Sequence, residues 1–390
     1  MIRAVCLIVA AASLFSQCTL PAHAGSAIDS GRAATSVSVQ ISMSGQVFVP
    51  VHINGSRELW FVLDTAAPTS IDPSLIKELA LPAETGYRGR GTGSGTVDIL
   101  RIPSAILNIG EHRLSIPIFG TPVKQLEPYV GREWDGILGA ELFGESAVTI
   151  DYRNQKLVIG APCASESERR PVEVSQTFPY VSATLEIDGR RIPGRFLLDT
   201  GANTTVDVYK AFAESARIKP TSDAKLASMG LGGGSSLAAS VADSIQLGPF
   251  SLKDVPVYLP DATEGLMAAQ DYAGIIGTEI LQRFVPTVDL PHKVLCLSPL
   301  SVNRSFKKRK SGLSLQSDPT DFSKLFVSSV DPNSPAERAG FAKGDIVLSI
   351  DGKSKWTLDS FRRYFNVQTK ADVEVQRKSG MKRLRLLLDE

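Results

Sequence analysis

The sequence predicts a mainly β protein made of two homologous lobes followed by a small α+β domain. Three observations lead to this fold: a strand–turn–strand pattern that occurs twice, landmark residues that recur at constant spacing, and a change of composition after Leu300. The 390 residues are 43% hydrophobic and 21% charged, a balance typical of folded globular domains. The length suits two or three domains of about 150 residues each. A formal charge of +1 gives no field that would attract nucleic acid, so we expect no nucleic-acid partner.

The first 24 residues have the features of a secretory signal peptide. Arg3 supplies the positive start, an apolar run follows over 4–15, and small residues at 22–24 flank a cleavage point. A transmembrane helix would need about 20 apolar residues, and polar residues interrupt this run early. We therefore expect an exported protein, periplasmic or secreted, and we rank a lipid anchor on Cys18 well below simple export.

Cys163 and Cys296 are the two cysteines that remain once the signal peptide is removed. In an exported protein they can form a disulfide, but they can equally be two small buried side chains, because the sequence gives no distance between them. The histidines His52, His112 and His292 stand singly, so we predict no metal site.

A β-hairpin pattern occurs twice along the chain. Residues 49–66 contain an alternating strand, the dipeptide Asn54-Gly55 and a second apolar strand that ends at Asp64. Residues 181–201 repeat this arrangement around Asp188-Gly189. Asn-Gly and Asp-Gly are the dipeptides of two-residue hairpin turns, so each copy predicts a β-hairpin.

The spacing of shared landmarks indicates a duplication rather than a coincidence. Three pairs recur in the same order: Asp64 and Asp199 (135 residues apart), Gly139 and Gly277 (138 apart), and Asp151 and Asp289 (138 apart). We therefore divide the chain into lobe 1, residues 37–165, and lobe 2, residues 172–300.

Each lobe also carries a glycine-rich stretch at its middle, over 89–95 in lobe 1 and 230–234 in lobe 2. Neither stretch has the glycine spacing or the Gly-Lys-Ser/Thr ending of a phosphate-binding loop. Mobile hairpins are the better interpretation of both.

The motif Leu197-Leu198-Asp199-Thr200-Gly201-Ala202, followed about 75 residues later by Ile275-Ile276-Gly277, resembles the aspartic peptidases. The doubled pattern is similar in particular to the retropepsin-like group, in which each monomer supplies one aspartate to a shared pair. Here both copies lie in one chain, and the resemblance covers most of residues 37–300. It implies two acid-protease β-barrel lobes and a monomer that is complete by itself.

The resemblance assigns catalysis to Asp64 and Asp199. Two adjacent carboxyls, one ionised and one protonated, contain both the base and the acid that a water molecule needs to hydrolyse a peptide bond, without a metal or an organic cofactor. In the family the next threonine hydrogen-bonds across to the other turn, a role that falls here to Thr65 and Thr200. The residue after it offers its N–H to the carboxylate.

Lobe 1 departs from this pattern, because Ala66 stands where lobe 2 has Gly201. Alanine keeps the N–H, so the hydrogen bond to the carboxylate survives if the backbone has a negative φ there. The alternative is a retained fold with no catalysis, in which both aspartates only accept turn hydrogen bonds. We favour the active interpretation because Asp and Thr persist in both copies.

By the same resemblance the glycine-rich hairpins are flaps that close on an extended polypeptide substrate and exclude water. The flap residues are Gly89, Gly91, Gly93, Gly230 and Gly232. Tyr87 and Met229 stand beside them, and we assign both to packing rather than to substrate contact.

A basic run at 301–311 separates the lobes from the C-terminal residues, and we interpret it as a solvated linker. Residues 312–390 resemble a PDZ domain of the bacterial periplasmic kind. The resemblance rests on Ser334-Pro-Ala-Glu-Arg-Ala-Gly-Phe341 and on Lys343-Gly-Asp-Ile346.

PDZ domains bind protein C-terminal tails by strand addition. The resemblance places the carboxylate-binding loop at Gly312, Leu313, Ser314 and Leu315, with Ser314 and Leu315 departing from the usual Gly-Phe. Leu358, Phe361 and Phe365 recur at helical spacing, which suits either a helix lining the groove or plain core packing. The domain either recruits tails for the protease or makes an internal contact that stabilises or gates the lobes.

These observations predict an exported aspartic endopeptidase whose PDZ domain selects substrates or regulates the lobes. The alternative is a catalytically inactive protein that binds peptides in its cleft and in the PDZ groove.

Overall fold

The computed structural model describes residues 5–7, 34–93, 95–163, 165–221, 225–261, 271–300, 306 and 311–388. In this part of the chain, four β-sheets are connected by turns and short helices, which confirms the mainly β fold class. No helix among these residues is long and apolar enough to cross a bilayer. The domain boundaries given above stay predictions, and the sheets are described here by their strands.

Lobe 1 folds around an eight-stranded sheet whose inner face is lined by aliphatic side chains. In spatial order its strands are Gln40–Ile41, Val47–Ile53, Leu59–Leu63, Gly136–Leu138, Ser70–Ile71, His112–Gly120, Thr96–Ile109 and Glu84–Arg90. Its helices are Pro73–Glu78, Glu127–Val130 and Ala140–Glu145, with a 3-10 turn at Val123–Leu126.

Lobe 2 repeats this plan in a nine-stranded sheet. Its strands in spatial order are Val5–Leu7, Leu226–Gly230, Gly233–Leu247, Phe250–Pro260, Val206–Val208, Gly274–Ile276, Arg190–Leu198, Phe178–Ile187 and Glu173–Ser175, and its helices are Lys210–Ser215 and Thr278–Leu281. The first of these strands falls in the predicted signal peptide and adds in parallel to Ser228–Gly230. The rest of that peptide, including Cys18, lies outside the described residues.

The two predicted hairpin turns differ in the structure. Asp188 and Gly189 form the expected two-residue turn, with positive φ at both positions and Ile187 paired with Arg190. Asn54 and Gly55 also turn with positive φ, but the nearest strand pair is Val51 with Leu59, so this connection is longer than predicted. The N–H of Ser56 does donate to the carbonyl of Ile53 at 2.9 Å, but the N–H of Ile53 donates to the Ser56 hydroxyl at 3.0 Å instead of to a backbone carbonyl, so strand pairing begins only at Val51 and Leu59.

A six-stranded sheet joins the two lobes. Its strands in order are Arg169–Pro171, Val294–Pro299, Phe284–Asp289, Val148–Asp151, Lys156–Ile159 and Thr35–Ser38. At its centre Thr149 of lobe 1 pairs with Thr287 of lobe 2, and their hydroxyls lie 2.7 Å apart. These two threonines are the same position of the sequence repeat, so the pseudo-twofold axis that relates the lobes passes between them.

Cys163 and Cys296 form a disulfide, with their Cα atoms 6.1 Å apart. Of the two possibilities that the sequence left open, the structure selects the cross-link. The bond ties the segment that leaves lobe 1 to the strand Val294–Pro299 of lobe 2.

The C-terminal domain has its own five-stranded sheet and its own apolar core. The strands in order are Leu313–Asp318, Asp321–Val330, Ile346–Ile350, Lys370–Arg377 and Gly380–Leu387, and the helices are Pro335–Arg338 and Leu358–Val367. Thr357 and Ser360 cap the second helix reciprocally. Leu358, Phe361 and Phe365 are all buried, as their helical spacing suggested.

The predicted linker is described only at Phe306 and Ser311. Phe306 is buried against lobe 2, where the guanidinium of Arg283 lies 3.5 Å from its ring centroid. The four basic residues 307–310 lie outside the described residues.

Replacing Cys163 and Cys296 together by serine should lower the free energy of unfolding of the exported form by about 2–5 kcal/mol, because the bond restricts a long loop in the unfolded chain. Urea unfolding monitored by fluorescence measures the change. Wild-type protein treated with a reducing agent should unfold like the double variant. Equal stability of the oxidised and the serine forms would contradict the prediction.

Candidate active site

Asp64 follows the buried strand Leu59–Leu63, which runs parallel to Gly136–Leu138. The N–H of Asp64 donates to the carbonyl of Leu138 at 3.0 Å, and its Oδ1 accepts the N–H of Ala66 at 2.8 Å. Ala66 does not have a positive φ, so alanine fits the backbone conformation at this position and keeps its N–H bonded to the carboxylate.

Asp199 is held in the same way in lobe 2. Its N–H donates to the carbonyl of Ile276 at 3.0 Å, and its Oδ1 accepts the N–H groups of Gly201 and Ala202, each at 2.8 Å. The lobe 2 carboxylate therefore receives two backbone hydrogen bonds where the lobe 1 carboxylate receives one.

The glycines that follow the paired strands have a steric role. A Cβ at Gly139 would lie 2.3 Å from the carbonyl oxygen of Ala67, and a Cβ at Gly277 would lie 2.5 Å from that of Thr204. These distances are too short for any side chain. The two hydrophobic-hydrophobic-glycine motifs therefore let each Asp-Thr turn lie directly against its supporting strand.

The two turns are locked together by their threonines. The N–H of Thr65 donates to Oγ1 of Thr200 at 3.0 Å, and the N–H of Thr200 donates to Oγ1 of Thr65 at 3.1 Å. Each hydroxyl then donates across the lobes, Thr65 to the carbonyl of Leu198 at 2.5 Å and Thr200 to that of Leu63 at 2.9 Å. All four residues are buried, so these exchanges fix the position of one aspartate relative to the other.

Both aspartates are fully buried, and this raises the pKa of each. The pKa of Asp64 lies well above its ordinary range because of burial and then because of the neighbouring charge of Asp199. Burial raises the pKa of Asp199 to about 7, opposed by the N–H groups of Ala202 and Gly201. Apart from their interaction with each other, the two Oδ2 atoms have no hydrogen-bond partner among the described residues.

The position after the threonine is not equivalent in the two lobes. A Cβ added to Gly201 would lie 2.3 Å from Oδ2 of Asp64, so only glycine fits there. The methyl group of Ala66 instead joins a buried cluster of lobe 2 that includes Phe178 and Leu197. The departure in lobe 1 is thus accommodated by packing.

Gln46 is a residue of this site that the sequence analysis missed. It is buried in lobe 1, and its Nε2 donates to the carbonyl of Gly201 at 3.2 Å. Thr278 connects the same regions, because its hydroxyl lies 2.9 Å from both the carbonyl of Ser44 and that of Ala202. The sequence repeat could not indicate Gln46, because no glutamine occupies the corresponding position in lobe 2.

The glycine-rich stretches lie at and beside the tips of two hairpins that meet each other. Gly89 is within the strand Glu84–Arg90, Gly91 and Gly93 are at the lobe 1 tip, and Gly230 and Gly232 are at the lobe 2 tip. The N–H of Gly93 donates to the carbonyl of Leu231 at 2.9 Å, and that of Gly95 donates to Gly232 at 2.8 Å. A Cβ at Gly91 would lie 2.3 Å from the carbonyl oxygen of Leu231, so side chains are excluded where the tips touch.

Leu231, at the tip of the lobe 2 hairpin, is buried in an apolar cluster of lobe 1. The cluster includes Val97 and Ile99 of the opposite hairpin, and Ala67 and Ile137 beside the Asp64 turn. Tyr87 and Met229 pack at its margin, in agreement with a packing role for both. Both hairpins are therefore held closed in the structure, and the aspartates beneath them are fully buried.

The residues predicted to form the carboxylate-binding loop of the C-terminal domain lie at the start of its first strand. Gly312, with φ +73°, precedes a strand, whereas Leu313, Ser314 and Leu315 belong to that strand. Leu313 and Leu315 point into the core. The alternation of the strand explains this, because apolar residues two apart turn to the same buried face.

Two family models match the chain and agree with this architecture. The sequence model of the family described as "Aspartyl protease" matches residues 49–142 and 183–280, and a PDZ domain model matches residues 326–377. Both segments thus match the aspartyl protease family, and the chain carries a PDZ domain at its C-terminal end. No curated protein matches it significantly. Among solved structures, the crystal structure of Basic 7S globulin from soybean is similar at 9% identity and a TM-score of 0.40, over 68% of this chain and 94% of that one.

The raised pKa of Asp199 should make the stability of the protein depend on pH. Between about pH 4 and 7 its carboxyl is protonated when folded and ionised when unfolded, so the folded state loses stability as the pH rises through this window. Asparagine resembles the protonated acid and does not ionise. Asp199→Asn should therefore be more stable than wild type at pH 7, and the difference should vanish near pH 4.

Urea unfolding at several pH values between 4 and 7 tests this, with Asp188→Asn in an exposed turn as the control. A stability difference between Asp199→Asn and wild type that is the same at all pH values would contradict the prediction.

Proposed function

We propose that the protein is an exported aspartic endopeptidase that hydrolyses peptide bonds with a water molecule activated by Asp64 and Asp199. The observation that carries the proposal is the pair of buried aspartates on two turns that are locked together by Thr65 and Thr200. A site that uses both carboxyls together needs this mutual positioning. One chain contributes both, so a monomer suffices.

The hydrogen bonds indicate which carboxyl takes which role. Asp199 accepts two N–H groups and Asp64 accepts one, so Asp199 is the first of the two to ionise as the pH rises, and the remaining proton stays on Asp64. In the proposed reaction Asp199 removes a proton from water as the water oxygen attacks the substrate carbonyl carbon, and Asp64 gives its proton to the carbonyl oxygen. The C–N bond then breaks as Asp199 protonates the nitrogen and the hydroxyl proton returns to Asp64.

Substrate access requires the two hairpins to separate. The aspartates have no exposed surface while Gly93 and Gly95 are hydrogen-bonded to the opposite tip. Opening would uncover a cleft between the lobes that is suited to an extended polypeptide, and closing would exclude water from the reaction.

Export is supported by two features of the chain. Residues 1–24 have the pattern of a signal peptide, and the Cys163–Cys296 disulfide fits an oxidising compartment such as the periplasm or the exterior. The PDZ domain adds the capacity to bind the C-terminal tails of substrates or partner proteins.

The decisive experiment incubates the exported form with denatured protein and random peptides from acid to neutral pH. Asp64→Asn and Asp199→Asn should each reduce the cleavage rate by about 10²–10⁴-fold, because each removes one proton-transfer group. Asp188→Asn should cleave like wild type. If wild type cleaves nothing that both variants spare, and a transition-state-mimicking inhibitor of the family does not bind, the protein is instead a peptide-binding protein without hydrolytic activity.

The position after the threonine offers a matched pair of variants. Gly201→Ala should lower the cleavage rate by about 10²-fold or more, because the new methyl group would displace the Asp64 carboxylate that it meets at 2.3 Å. Ala66→Gly keeps the N–H that donates to Asp64 and should stay close to wild type. Peptide cleavage assays on both variants measure the contrast, and an equal loss in the two would contradict it.

Leu231 should control how often the hairpins open. Leu231→Ala removes a buried side chain and should weaken closure by about 2 kcal/mol, which is roughly a 30-fold shift towards the open state. Hydrogen exchange of the amides at 91–95 and 231–234 should become faster, while exchange in Phe284–Asp289 should not change. Unaltered exchange at both tips would show that Leu231 does not hold them closed.

A further inference from the structure

The PDZ domain has one sheet edge that is suited to a peptide ligand. Leu313–Asp318 is the first strand of the sheet, and among the described residues its strand partner is Asp321–Val330, so strand addition would extend the sheet at its outer edge. The helix Leu358–Val367 packs next to this strand. The strand and the helix together form the two sides of the groove that would receive a tail.

A segment of lobe 1 lies on this edge. The helix Glu127–Val130 packs against Leu313–Asp318, and the hydroxyl of Ser317 donates to the carbonyl of Pro128 at 3.1 Å. Gly131 then approaches the start of the groove helix so closely that a Cβ there would lie 2.9 Å from Cβ of Leu358. The lobe 1 segment therefore contacts both sides of the groove.

Polar contacts to lobe 1 continue beyond the groove. Asp359, in the first turn of the helix, accepts the N–H of Met43 at 3.3 Å and attracts Arg132 electrostatically. Arg132 is itself held in lobe 1, with its guanidinium 4.1 Å from the ring centroid of Phe48 and hydrogen-bonded to Gln40 at 2.7 Å. The docked arrangement thus has charge complementarity as well as packing.

We propose that residues 127–131 of lobe 1 are the resting occupant of the PDZ groove, and that a peptide with a free C-terminal carboxylate binds there only by displacing them. This inference rests on the proposed function and adds to it how tail binding by the PDZ domain is regulated. The sequence left two roles open for the PDZ domain, tail recruitment and internal contact. On this proposal the tail and the lobe 1 segment compete for the same surface.

Displacement of residues 127–131 from the groove would also change the packing near the active site. A cavity of about 440 Å³ lies where three parts meet, and it is lined by Tyr129 of the lobe 1 segment, Met229 of the lobe 2 hairpin, and Phe326 and Lys343 of the PDZ domain. Met229 is one residue before the glycine that begins the hairpin tip. A tail that removes the lobe 1 segment from the groove therefore changes the packing beside a hairpin that must open for substrate, and any change in hairpin opening is matched by an equal change in tail affinity.

The test measures tail binding in an Asp199→Asn background, so that its result does not depend on whether the protein hydrolyses peptides. The probes are fluorescent random heptapeptides with a free terminal carboxylate, and the same peptides with a terminal amide. Gly131→Ala should bind the free-acid peptides at least 10-fold more tightly than its parent, because its methyl group meets Leu358 and weakens the docked state while the groove itself is unchanged.

Gly55→Ala is the matched control. Gly55 has φ +82° and Gly131 has φ +87°, so alanine strains the backbone similarly at both positions, but no atom lies within 4 Å of a Cβ at Gly55. Its tail affinity should equal that of the parent. Equal affinity of Gly131→Ala and Gly55→Ala, or tighter binding that amidated peptides share, would overturn the proposal.

Hydrogen exchange on the protein without Gly131→Ala gives a second, independent measurement. Saturating free-acid peptide should speed amide exchange at 127–132 and at 226–230, and leave Phe284–Asp289 unchanged. Peptide binding that leaves 127–132 unaltered, or no binding of any free-acid peptide to either form, would also overturn the proposal.

Discussion

The crossed hydrogen bonds between Thr65 and Thr200 are the interaction on which the rest of the structure depends. Each threonine accepts an N–H from the other turn and donates its hydroxyl to the strand behind that turn, so neither lobe can shift without breaking several buried bonds. A buried polar group without a partner is costly, which makes the paired arrangement far more stable than either half alone. This lock places the two aspartates side by side. Burial raises the pKa of both carboxyls, and the neighbouring charge of Asp199 raises that of Asp64 further.

The lobes are related by a pseudo-twofold axis, and the departures from this symmetry carry chemical meaning. The axis passes between Thr149 and Thr287 in the shared sheet. Around the aspartates the symmetry fails, because Gly201 lies against Asp64 where no side chain fits, whereas Ala66 packs into an apolar cluster. Asp199 has the additional N–H bond. The duplicated fold therefore holds its two carboxyls in different surroundings. A reaction that needs one acid and one base requires such a difference.

Burial connects the site to the hairpins and to the PDZ domain. The hairpin tips meet through glycine backbones, Leu231 anchors one of them in the opposite lobe, and the PDZ domain packs against lobe 1 beside the same hairpin. Substrate access is therefore a property of contacts between the parts. Under the proposals made above, these contacts are how the PDZ domain influences a site to which it contributes no residue.

The sequence by itself determined the repeat, the β-hairpins, the two aspartates with their threonines, and the C-terminal domain. These follow from local patterns, namely alternation, turn dipeptides and short motifs at constant spacing. The pairing of Cys163 with Cys296, the role of Gln46 and the lobe 1 segment on the PDZ edge emerge only in the folded molecule. Each of these joins residues that are distant in the chain, and no local pattern encodes the distance between two parts of a sequence.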